Sequence, residues 1–78
     1  MTGADLTDRF LALLIRAHGG TKTQWRRVLG PLRIHPRATH PHCNWEYAPH
    51  GSFAEIAAVE DLSDRLRLEH PLVTEQRQ

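Results

Sequence analysis

Cys43-Asn44-Trp45-Glu46-Tyr47-Ala48 is the best strand pattern in the chain and makes the fold α+β. Cys43, Trp45 and Tyr47 alternate with Asn44, Glu46 and Ala48, the period of two that a half-buried strand requires. Aromatic residues suit a pleated, partly buried surface. The reading therefore places Cys43, Trp45 and Tyr47 inward and the other three outward. Pro49-His50-Gly51 closes the stretch with a turn. Upstream, Leu32-Arg33-Ile34-His35 alternates in the same way and stops at Pro36, which suits an edge strand. Residues 36–42 form a connecting loop, and the two strands pair antiparallel across it.

Helical patterns flank this ribbon. Leu6, Phe10, Leu13, Leu14 and Ala17 recur at three- and four-residue steps, and Leu11 and Ile15 widen the stripe. Asp5, with Asp8 three residues on, is the expected N-cap. Gly19-Gly20 ends the helix. After the ribbon, Ser52-Phe53-Ala54-Glu55 is a capping box. Phe53, Ile56, Val59, Leu62 and Leu66 form the expected buried stripe, and Asp61 and Arg65 an outer i,i+4 pair. His70 must end this helix, because the residue before Pro71 avoids helical geometry. Leu72 and Val73 can then fold back onto the core.

Residues 23–29 admit two readings. A helix capped by Thr23 puts Trp25, Val28 and Leu29 on one side and ends at Gly30-Pro31. A strand shares one face among Trp25, Arg27 and Leu29, burying an arginine and adding a third strand. The helix is the cleaner pattern. The expected fold is α+β: two amphipathic helices on one face of a small two- or three-stranded antiparallel sheet, in the order α-(α or β)-β-β-α. The 78 residues form a single small domain, with residues 1–4 and 74–78 as disordered tails. A domain of this size buries only about 60% of its unfolded-chain surface, so its stability margin is thin.

Composition bounds the function classes. The one cysteine, Cys43, has no intrachain partner, which fits a reducing, cytoplasmic setting. No secretory leader is evident, and the apolar run Leu11–Ile15 is far too short to span a bilayer, so no membrane role is expected. Arginine outnumbers lysine nine to one, a skew typical of GC-rich coding sequence. The net charge is +1, but it is unevenly spread. Residues 16–50 carry Arg16, Lys22, Arg26, Arg27, Arg33 and Arg37 against Glu46 alone. Residues 51–78 carry six acids against Arg65, Arg67 and Arg77. A basic centre beside an acidic C-terminal segment is a statement about partners.

Three chemistries compete for the centre. Zinc takes imidazole nitrogen and thiolate sulfur in a tetrahedron, which makes His40, His42 and Cys43 the metal candidates. However, a second ligand pair at the usual spacing is missing, and an extended backbone would point Cys43 away from both histidines. The expectation is no metal and no cofactor. A Cys43–histidine nucleophile needs a depressed thiol pKa and an oxyanion hole, which sequence adjacency does not supply, so no enzyme is expected. Nucleic acid would use the arginines on phosphates and Trp25 as a stacking platform, yet no nucleic-acid-binding signature is present.

Protein recognition is the leading expectation. Arginine, tryptophan and tyrosine are enriched at interface hot spots, and a free sheet edge can add a partner strand. The chain reads as a small non-enzymatic binding protein that docks on a macromolecular partner through Trp25, Arg26, Arg27, Arg33, Arg37, His40 and His42. Nucleic acid is the alternative and zinc binding the second. A homodimer could pair the basic and acidic regions of two copies. Phages and other mobile elements encode many accessory or inhibitor proteins of this size, anti-CRISPR proteins among them; that likeness is one of size alone.

Overall fold

A computed structural model describes residues 1–74. The element order is α1 (Gly3–His18), α2 (Lys22–Leu29), β1 (Arg33–Ile34), β2 (Trp45–Glu46) and α3 (Phe53–Glu69). The fold is α+β, with three helices against a two-stranded antiparallel ribbon.

The apolar stripe of α1 buries Leu6, Phe10, Leu11 and Leu14. Its cap lies three residues earlier than the sequence suggests. Thr2, not Asp5, is the N-cap, and Asp5 occupies the N3 position of a complete capping box. The Asp5 amide donates to Thr2 Oγ1 and the Thr2 amide to Asp5 Oδ2, each at 3.1 Å. Residues 1–4, expected to be loose, thus include a helix cap and the buried Gly3. Gly3 also permits close approach: a Cβ there would lie 2.8 Å from Ile34 Cδ1.

Residues 22–29 adopt the helical alternative, so no third strand forms from them. Trp25, Val28 and Leu29 go inward while Arg26 and Arg27 stay in water, which the strand reading could not achieve. Thr21 rather than Thr23 is the cap, accepting from the Gln24 amide at 3.1 Å. Gly30 closes the helix at φ 67°, a conformation glycine adopts without strain.

The ribbon is shorter than the alternation implies. Arg33 faces Glu46 and Ile34 faces Trp45, and the His35 amide extends the ladder to Asn44 O. Beyond Glu46 the chain turns towards α2, where the His50 amide donates to Val28 O. Trp45 is the centre of the core. It meets Phe10 edge-on at 5.6 Å, and Phe10 meets Tyr47 at 4.8 Å. The Trp45 ring N–H donates to His70 O at 2.8 Å, and the Arg67 guanidinium lies over its ring.

Asn44 departs from the simple alternation. The period of two sends it outward, but it is buried, and its side-chain amide acts as a strand partner for Val73. Asn44 Nδ2 donates to Val73 O and the Val73 amide donates to Asn44 Oδ1, both at 2.8 Å. The Asn44 amide itself donates to Pro71 O. Val73 is buried, as expected, and Thr74 bridges in parallel to Thr2. The expected tail over 74–78 therefore meets an ordered Thr74, and its remainder lies outside the described residues.

In α3 the Ser52–Glu55 capping box and the end at His70 follow the sequence reading. The buried face differs. Ala58, Val59, Ser63 and Leu66 point inward, whereas Phe53 is 93% exposed. Successive three-residue steps each drift about 60° around a helix, so the run 53-56-59-62 cannot stay on one side. Arg65 lies 3.9 Å from Glu69 rather than pairing with Asp61.

Candidate partner-binding surface

The predicted contact residues separate into three groups. Trp25 leaves the surface altogether. Its ring is buried and its N–H donates to Gly19 O at 2.8 Å, so it serves the α1–α2 corner and offers no stacking face. A tryptophan at helical spacing beside Val28 and Leu29 carries that signal already.

Arg26, Arg33 and Arg37 are all exposed, and Arg33 lies on β1. Arg26 borders a shallow hollow of about 410 Å³ shared with Thr7, Asp8 and Leu32. Arg37 borders another, of about 580 Å³, shared with Ile34, His35 and Thr74. Arg33 lies on β1 between Leu32, which lines the first hollow, and Ile34, which lines the second. Among the described residues, none of these arginines has a carboxylate oxygen within 4.0 Å. Arg27, on the neighbouring side of α2, is turned towards the start of α3, where its charge reaches Glu55. The Glu55 carboxyl is held below its ordinary value mainly by the Gln24 side-chain amide, then by the Ser52 backbone and hydroxyl. Arg27 adds to that effect.

The loop histidines are placed by local contacts. Pro36 O accepts from the amides of Thr39 and His40, folding residues 36–40 into a turn. The His40 ring then stacks on His35 at 4.2 Å and 17°, with Nδ1 2.9 Å from Thr39 Oγ1. His35 Nε2 lies 3.2 Å from Glu46 Oε1, which engages the one acid on the outer face of the ribbon. His35 and Glu46 therefore belong to this surface, though only the strand pairing reveals it. His42 is exposed.

The zinc arrangement does not assemble. His40 stacks on His35, and the Cys43 thiol donates to Trp45 O at 3.4 Å. Among the described residues, no three His, Cys, Asp or Glu side chains gather where they could hold a metal ion. No helix among them is long and apolar enough to cross a membrane. No family model, no curated protein and no solved structure matches this chain.

Proposed function

We propose that this chain is a non-enzymatic binding protein that docks a basic band, Arg26, Arg33 and Arg37 with His35, His40 and His42 beside it, on an acidic macromolecular surface. The observation that carries this reading is the lack of internal carboxylate partners for the three arginines among the described residues. Glu46 and Glu55 are engaged elsewhere, by His35 and by Gln24 and Ser52, and Asp8, which lines the hollow beside Arg26, has no arginine nitrogen within 4.0 Å among the described residues. Unneutralised charge along one band creates a local positive potential that steers and orients an anionic partner. A small inhibitor that works by occluding a larger complex needs no more than such a face. The lone thiol of Cys43 fits a cytoplasmic setting.

A protein partner is favoured over nucleic acid by the loss of stacking groups. Trp25 and Trp45 are buried, and the half-buried Tyr47 directs its hydroxyl at Thr7. The test compares wild type with R26E/R33E/R37E, all at exposed positions, in capture from the native host followed by mass spectrometry. The triple variant should keep its melting temperature and lose the protein captured by wild type. Equal capture by both would sink the proposal. Labelled DNA and RNA oligonucleotides form the second arm. Binding that falls by orders of magnitude between about 50 and 200 mM salt would assign the band to phosphate instead.

A further inference from the structure

The fold leaves the outer face of α3 unused, and that face has a defined pattern. Phe53, Ala57, Glu60, Asp61, Asp64 and Leu68 fall within an arc of about 100° at helical spacing. Phe53 is 93% and Leu68 87% exposed, well beyond the other exposed large apolar side chain, Met1 at 44%. Fifteen residues at about 1.5 Å each set the two roughly 22 Å apart along the axis. Single exposed apolar residues are ordinary. Here, however, two stand on one side of one helix with acids between them. Arg67 lies 3.7 Å from Asp64, while Glu60 and Asp61 have no basic partner within 4.0 Å among the described residues.

A second copy cannot cover this face with its own α3 on a two-fold axis. The midpoint of the stripe falls between Glu60 and Asp61, so two α3 helices crossing on a two-fold axis would oppose acid to acid. Like charges across a contact are repulsive. An occupant must therefore be cationic at its centre and apolar at both ends. We propose that the outer face of α3 docks a cationic amphipathic helix, which seats apolar side chains on Phe53 and Leu68 and sets lysine or arginine against Glu60, Asp61 and Asp64. This is the helical mode of recognition, in which spaced apolar anchors set register and charge sets partner choice. It uses a face and a partner charge different from those of the basic band, so a chain with both would hold two partners at once.

The probe is a synthetic 20-residue helix with leucines at its two ends and lysines between them, titrated into isotope-labelled full-length protein. Binding should shift the amide signals of residues 53–68. It should weaken by about tenfold or more in F53A/L68A, the scale expected for loss of anchor residues. D61K should weaken it too, and R26E/R33E/R37E should leave it unchanged. A peptide with glutamate in place of lysine should not bind. Both apolar side chains are exposed, so F53A/L68A should melt like wild type. The proposal is overturned by absent binding, by shifts mapping off α3, or by affinity unchanged in F53A/L68A. Concentration-dependent self-association that this variant abolishes would also overturn it, by making a second copy the occupant.

Discussion

Asn44 shows how one side chain can replace an element. Its amide group donates and accepts at 2.8 Å on the two backbone groups of Val73, as a paired strand would. A buried backbone N–H or C=O left without a partner costs about 1–3 kcal/mol. Asn44→Ala strands both groups of Val73 at once, so a loss of about 3 kcal/mol or more is expected. The urea midpoint should fall with little change in slope. Asn44→Asp should fail to rescue, because it keeps the acceptor but removes the donor and buries a carboxylate. Nothing in the sequence marks this asparagine, since its neighbours obey the strand period that would turn it outward. The role depends on Val73 arriving from 29 positions away.

Element ends were legible by residue type and misplaced by register. Ser52 and Glu55 form a capping box as the sequence implies, but the caps of α1 and α2 are Thr2 and Thr21. Asp5 and Thr23 are sound caps by composition. The earlier threonines are the caps because their hydroxyls accept from the third amide of each helix, those of Asp5 and Gln24. The α2 boundary can be checked directly. Thr21→Ala should cost about 1 kcal/mol in thermal or urea unfolding, the usual loss for an N-cap. Thr23→Ala, at an exposed position inside the helix, should change stability little. A larger loss at Thr23 would contradict the assignment. The same reasoning explains Phe53: a three-residue repeat looks apolar in print but rotates off the core face.

The whole molecule should lose stability at both pH extremes for identifiable reasons. Glu55 is held below its ordinary carboxyl value of 4.5, first by Gln24 and then by Ser52, so the folded state favours its charged form. That contribution is full above about pH 4.5 and is lost as pH falls through the folded value. Burial raises Tyr47 above its ordinary 10.0, against an opposing hydrogen bond with Thr7, so the folded state favours the neutral phenol. That contribution is full below about pH 10 and is lost as pH rises further. Melting curves across pH should show a flatter acid limb in Glu55→Gln and a flatter alkaline limb in Tyr47→Phe. The α+β class, the apolar stripe of α1, the stop before Pro71 and the split between basic and acidic segments are readable in the residues alone. Each follows from short-range periodicity, capping chemistry or composition. Only the folded contacts show that Asn44 clasps the C-terminal segment, that His40 stacks on His35, and that Thr74 returns to Thr2. Each of those depends on which other segment a residue meets, and local pattern carries no record of that.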